Sequence, residues 1–468
     1  MKKEQRSTGT GWLARLGLWG FASIEAPLLA ALATEQPLLL IGPHGTAKSL
    51  LLTRVAAALG LSFRHYNASL LSFDDLVGFP VPGAQGCLEY LKTPAAIWGA
   101  GAVIFDEISR CRPDLQNKLF PIIHERKVQG LPLVGLRYRW AAMNPPLAEG
   151  ADSGYLGSEP LDRALADRFA FVLQMPAWSE FSRDEQLAVI QADEQAEDPA
   201  AGIFLQQLLQ RTSALLTVLR SEAGGRIAAY VHTLLPLLQQ AGIELSPRRA
   251  NLLHQAVLAV HASCLALNPD TTIADSALLA LRCALPQRAE GIELPEVKLL
   301  AAHREAIRAV DLRPDDPLRL ILCTPDPLER LSLAIRSTRL PKREFSNIAA
   351  DCLAQLPPGA REAAIVHLFE TGAVGRLNAA IASQSGEVYQ GIVRTPNFSE
   401  SVHVSNPRYR CWSRLKDLLS QLNPKNPRAH LQANAMASLF ARRKVQTPED
   451  VERAFDAFVL ADAKAGRP

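Results

Sequence analysis

Residues 37–59, PLLLIGPHGTAKSLLLTRVAAAL, decide the fold. A short apolar run from Pro37 to Ile41 meets a turn bounded by Gly42 and Gly45. The helical pattern from about Lys48 to Leu59 follows. An apolar strand, a turn of the form G-x-x-x-x-G/A-K-S/T and an amphipathic helix make up the context of a phosphate-binding loop. Backbone N–H groups of Gly42, Pro43, His44, Gly45, Thr46 and Ala47 (all but the proline) and the helix start at Lys48, Ser49 and Leu50 can cradle a polyphosphate. Lys48 would reach the β- and γ-phosphates, and the Ser49 hydroxyl would bind Mg²⁺. Ala47 stands where such loops usually have glycine, which is tolerable if that residue is right-handed helical.

Outward from the loop, apolar runs alternate with helical segments through the first 175 residues. Phe63–Tyr66, residues 102–105, Val134–Met143 and Phe169–Leu173 read as further strands. That alternation implies an α/β fold, a parallel sheet with both faces covered by helices. The run at 102–105 ends in Asp106-Glu107, 58 residues after Lys48. Carboxylates at the carboxyl end of a buried strand lie where sites of open α/β sheets form. Asp106 would hold Mg²⁺, directly or through water, and Glu107 would orient and deprotonate a water. Asn144 ends another strand, where its amide can position the same water.

Hydrophobic residues make up 48% and charged residues 21% of the 468, which excludes wholesale disorder. The net charge of +3 is too mild to imply nucleic acid or an anionic membrane. Seven scattered cysteines without a C-x-x-C argue against a disulfide framework and a Cys-based zinc site. The apolar stretch 11–22 is broken by Arg15 and lacks a clean cleavage site, so no targeting segment is expected. Leu252–Leu267 contains His254, Gln255, His261 and Ser263 and reads as a buried helix rather than a membrane span. A soluble cytoplasmic protein is the expectation.

Beyond residue 180 strand signals fade. Leu205, Leu208, Leu209, Leu216 and Leu219 fit one helical face. The expected organisation is an α/β core over 1–178, a helical lid over 179–295 and a mainly helical accessory domain over 296–468. Residues 383–408 read as a strand pair or a long loop. Ser246-Pro247-Arg248 and Asn426-Pro427-Arg428 each open a helix and are each followed by a T-x-x-D capping tetrad, either a duplication or a reused cap.

In order, GPHGTAKS (42–49), AVIFDEISR (102–110), LQNKLFPIIHERKV (115–128), AAMNPP (141–146), LDRALADRF (161–169) and SPRRA (246–250) resemble the MoxR family of AAA+ ATPases, over roughly residues 20–290. The loop and the stretch GYLGSEPLDRALADRF (154–169) are similar to the Q-type activators of rubisco and nitric oxide reductase within that family. The resemblance implies ATP with Mg²⁺, Asn144 as sensor 1, Arg168 as an arginine finger acting on a neighbouring subunit, and Arg248 as sensor 2 acting in its own chain. Arg163 is a second finger candidate, and Arg428 competes for sensor 2. It implies also a homo-oligomeric ring, most often a hexamer, that remodels a protein client beside a partner with a von Willebrand factor A domain. Residues 67–98 match the family's helix-2 insert and residues 126–140 the hairpin before sensor 1. A nucleic-acid motor is the alternative. Arg137, Arg139 and Trp140 are its nearest cue, and no DNA-binding module is evident. A scaffold without turnover is disfavoured by the intact Lys48, Asp106 and Glu107.

Overall fold

The computed structural model describes residues 11–83, 88–146, 158–191, 200–313, 315–394, 403–423 and 425–465. Gly154 to Gly157, part of the stretch matched above, Cys87 and the 395–402 part of the expected strand pair lie outside them. Two compact units are present, Met1–Ile307 and Arg308–Pro468.

The described residues of the first unit contain nine strands. They are β1 (Leu38–Ile41), β2 (Phe63–Asn67), β3 (Phe79–Pro82), β4 (Leu88–Leu91), β5 (Ala102–Asp106), β6 (Lys127–Val128), β7 (Leu131–Pro132), β8 (Tyr138–Met143) and β9 (Phe171–Gln174). Five of them form one parallel sheet in the order β2-β5-β8-β1-β9. Every residue of β1 and β8 is buried, which is why β1 reads as a continuous apolar run, while β8 carries Arg139 within its buried stretch. Leu115, Leu119, Ile122 and Ile123 of helix Pro113–Glu125 pack with Val103, Phe105 and Met143 in one core. β3 pairs antiparallel with β4, and β6 with β7, so the 67–98 and 126–140 segments each carry a small hairpin.

The later part of this unit is helical: Ala201–Glu222, Gly224–Gln240, Pro247–Leu267 and Ile273–Cys283. Among the described residues Pro247–Leu267 is the one helix long and apolar enough to cross a membrane. It is a core helix, 61% buried, packed against helices Glu25–Thr34, Ala201–Glu222 and Ile273–Cys283. His261, a polar residue on it, is satisfied by Ser276 Oγ at 3.0 Å. Arg139 and Trp140 are buried in β8, and Arg137 pairs with Glu35 at 2.8 Å. Of these three only Arg137 reaches the surface, where it is paired with Glu35, so they form no combined basic and aromatic surface.

The second unit is a helical bundle with a core that includes Phe345, Ile365, Leu368, Ile392, Leu415 and Phe458. Helix Ala360–Glu370 lies so close to helix Pro448–Ala465 that a Cβ on Gly359 would sit 1.9 Å from the Ala454 carbonyl oxygen. The strand pair expected within 383–408 is absent among the described residues. Ala379–Val393 is one helix, started by the Asn378 side chain accepting from Ile381 N at 2.9 Å. Its inward residues Ile381, Ser385, Val388 and Ile392 recur at helical spacing. A side-chain cap followed by proline at the first helical position starts helices at Ser246, Asp316, Asp326, Asn406 and Asn426. The Ser-Pro-Arg and Asn-Pro-Arg resemblance is thus a cap used throughout the chain. Both T-x-x-D caps form, with Asp275 N and Asp450 N each 3.1 Å from a threonine hydroxyl.

Candidate functional site

Parallel strands bring their carboxyl ends to one edge of the sheet. Because β8 lies between β1 and β5, Asn144 falls between the phosphate loop and the acidic pair. The edge encloses a cavity of about 350 Å³ lined by His44 to Leu50, Asn67, Asp106, Glu107, Met143 and Asn144.

Lys48 is buried and donates to the carbonyls of Gly42 and Pro43, both at 2.7 Å, and to Asn144 Oδ1 at 3.2 Å. Burial lowers its pKa, and the charges of Asp106 and Glu107 counter that shift. Ser49 Oγ donates to Asp106 Oδ2, and the Glu107 N–H donates to Asp106 Oδ1 at 2.9 Å. Burial alone would raise the Asp106 pKa. Hydrogen bonds from His65, Ser49 and the Glu107 N–H outweigh it and hold the carboxyl below its ordinary value. A hydroxyl and an ionised carboxylate side by side are the hard oxygen donors that suit Mg²⁺.

Two residues at this edge adopt left-handed backbone angles, Ala47 at φ 58° and Glu107 at φ 53°. Ala47 is therefore not right-handed helical as expected; it caps helix Lys48–Ala58 in the conformation that glycine adopts without penalty. Such strain persists where surrounding packing enforces it, and it clusters at functional sites. Glu107 Oε2 lies 3.9 Å from Arg110.

Arg163, Arg168 and Arg248 do not line this cavity. Arg168 lies over the Phe120 ring, 4.4 Å from its centroid, and burial together with the nearby Arg248 lowers its pKa. Arg248 Nη1 is 3.5 Å from Asp167 Oδ2, and Arg163 Nε is 3.3 Å from Glu290 Oε2. Arg163 and Arg248 border a separate cavity with Asp167, Ser246 and Glu290. Arg248, expected to contact phosphate held by its own chain, thus sits beside Arg168 instead. Arg428 is engaged within the second unit, 2.7 and 2.8 Å from the Glu370 carboxylate.

Sequence reasoning missed three contributors. His65 Nε2 lies 3.4 Å from Asp106 Oδ2; β2 pairs with β5 in register, Asn67 opposite Asp106, which sets its side chain at that carboxylate. Fully buried Arg249 ties the helical part to the sheet. It contacts Asp167 Oδ1 at 3.2 Å and the carbonyls of Phe169, Ala284 and Asp167 at 2.9, 3.1 and 2.8 Å. The double Arg of SPRRA was the only signal for it. The third is a largely apolar cavity of about 330 Å³ that shares Gly45, Thr46, Ala47 and Leu50 with the phosphate loop. Trp19, Phe21, Trp178 and Phe181 line it. Phe181 packs edge-on against Phe21, ring centroids 6.0 Å apart, and Arg54 pins the turn before Trp19 through the carbonyls of Leu16 and Gly17. These aromatics come from segments about 160 residues apart, so no local pattern announces them.

Residues 37–169 match the family model of the AAA domain, dynein-related subfamily. This segment is similar to that AAA domain. The loop, the acidic pair, Asn144 and Arg168 all fall within the matched residues, whereas Arg248 and Arg249 lie beyond them. A solved structure of a candidate ATPase from Cytophaga hutchinsonii is 18% identical, with a TM-score of 0.44, over 63% of this chain and 92% of that one. No curated protein matches the chain. Similarity to an AAA domain supports nucleotide binding at this edge of the sheet. Among the described residues no cluster of His, Cys, Asp and Glu is arranged to hold a metal by itself.

Proposed function

We propose that the chain is a Mg²⁺-dependent ATPase of the MoxR type, a ring machine that uses ATP hydrolysis to remodel or activate a protein client. The observation that supports hydrolysis is the meeting of Lys48, Ser49, Asp106, Glu107 and Asn144 on one cavity of about 350 Å³. Loop N–H groups and Lys48 bind the β- and γ-phosphates, and the aromatic cavity beside Leu50 takes the purine ring. Ser49 and Asp106 hold Mg²⁺, which when bound neutralises phosphate charge. Glu107 accepts a proton from water as the water oxygen bonds to the γ-phosphorus and the bond to the ADP oxygen breaks. Asn144 orients that water.

Arg168 serves a neighbouring chain's phosphate, with Arg163 as a second candidate, and Arg248 acts as sensor 2 from the helical part of its own chain. Arg168 lies outside the lining of the chain's own cavity, which supports its action in trans. An arginine supplied in trans is worth about 10³–10⁵ in rate in characterised NTPases. A homo-oligomeric ring follows from that division of labour, and the resemblance to MoxR proteins makes it a hexamer. The resemblance to MoxR proteins adds a partner with a von Willebrand factor A domain and a cytoplasmic setting.

Glu107→Gln keeps the shape of the site and removes its base. The variant is expected to bind ATP and assemble normally while turning over slowly; near-normal turnover rejects Glu107 as the base. Mixing Arg168→Ala chains with Lys48→Ala chains is expected to restore activity at the interfaces that pair an intact finger with an intact loop. Absence of rescue in demonstrably mixed rings rejects the trans finger.

A further inference from the structure

The modest net charge of the chain conceals a division. Residues 308–468 carry 23 Lys and Arg against 17 Asp and Glu, whereas residues 1–307 carry 27 against 30. The excess is concentrated further. Between residues 403 and 447 there are nine Lys and Arg and a single acid, Asp417. Among them Arg414 pairs with Glu452, and Arg428 with Glu370 and Asp462. Arg410, Lys416, Arg442 and Lys444 are exposed and have no acidic partner within ion-pair distance among the described residues.

Aromatic rings lie among these cations. Tyr409 and Trp412, three residues apart on helix Pro407–Ser420, share a face and are 37% and 40% exposed. Trp412 rests against Phe440, ring centroids 5.7 Å apart, and Arg408 lies over the same Phe440 ring at 4.3 Å. Phe440 closes helix Pro427–Ala441, so the turn Arg442-Arg443-Lys444 follows directly after the ring on which Trp412 rests. Arg442 is held there by the Glu387 carbonyl at 3.0 Å.

We propose that the face formed by Tyr409, Trp412 and Lys416 on one side of the helix, with Arg442 and Lys444 on the turn after Phe440, binds single-stranded nucleic acid. Exposed rings offer stacking planes to bases, while separated guanidinium and ammonium groups track phosphates. An acidic peptide would use the cations and leave both rings in water. An anionic membrane would select a continuous apolar stripe, whereas here two rings stand among cations. The face is remote in sequence from the AAA domain, so the proposal stands or falls apart from the ATPase reading.

The test uses the full chain and fluorescein-labelled oligothymidylate or oligouridylate of about 30 nucleotides, with binding read by anisotropy across a salt series. Saturable binding at low salt is expected. Trp412→Ala is expected to weaken it about tenfold, the stacking of about one base. Tyr409→Ala, which removes an exposed ring without touching Phe440, is expected to weaken it in the same direction and to leave ATP turnover unchanged. Arg442→Glu with Lys444→Glu is expected to lower the salt slope by about 0.7 for each lost phosphate contact. Absence of binding at low salt overturns the proposal. So does binding that both ring variants leave intact, and so does displacement of the oligonucleotide by polyglutamate at matched charge, which assigns the face to an acidic peptide.

Discussion

Glu25 is a carboxylic acid in a place that suits its neutral form, and replacing it with glutamine should stabilise the protein in a strictly pH-dependent way. Its side chain is 8% exposed, and Oε1 accepts from the Leu13 N–H at 2.8 Å. Burial raises its pKa from 4.5 to about 7, with the Leu13 hydrogen bond opposing the shift. The folded state therefore binds the proton more tightly than the unfolded chain does. Stability is highest below about pH 4.5, falls as pH rises towards about 7, and is flat above that. At about 1.4 kcal/mol per tenfold, the loss above neutrality amounts to roughly 3 kcal/mol. Glutamine keeps the carbonyl acceptor for Leu13 and carries no charge. Glu25→Gln is expected to gain about 3 kcal/mol near pH 8 and about 1 kcal/mol or less near pH 5. Guanidinium unfolding followed by tryptophan emission, with Trp12 and Trp140 both buried in this unit, reads the difference at the two pH values. An equal gain at both pH values, or none near pH 8, would refute the reasoning.

Three further outcomes follow from the same geometry. Ala47→Gly relieves a left-handed alanine worth about 1 kcal/mol and should raise stability by somewhat less, since glycine adds unfolded-state entropy; a loss of stability would contradict the φ of 58°. Arg249→Ala removes one of three partners of Asp167 and the donor to the carbonyls of Ala166, Asp167, Phe169 and Ala284, and should destabilise the first unit by about 3–5 kcal/mol, seen as a lowered denaturant midpoint. Trp178→Ala opens the aromatic cavity and, at about 1 kcal/mol for a lost ring contact, should raise the KM for ATP about fivefold with kcat unchanged; a changed kcat with constant KM would count against a base-binding role.

The parallel sheet and the meeting of the proposed site residues were legible because they are written in short local signals. Apolar runs end in those residues, and parallel topology carries those ends to one edge. The helical spacing over 180–290 was legible for the same reason. What escaped depends on contacts between distant segments. The left-handed turn at Ala47 is imposed by the loop around it, where propensity favours a right-handed residue. The cavity of Trp19, Phe21, Trp178 and Phe181 exists only once the amino-terminal turn meets the segment after β9. Arg248 drew attention over Arg249, yet the second arginine is the buried one, and burial is a property of packing. Composition averaged over 468 residues hid the basic segment 403–447, because the acids that balance it lie in the other unit and along helix Pro448–Ala465.

Asp167 receives Ser246, Arg248 and Arg249 from the start of one long helix, and the next residue in the chain is Arg168. A tilt of that helix is therefore levered directly onto the backbone that aims the adjoining guanidinium. In a closed circle of such chains, each subunit's posture would reach its neighbour's nucleotide as a mechanical displacement, with no relay through the sheet.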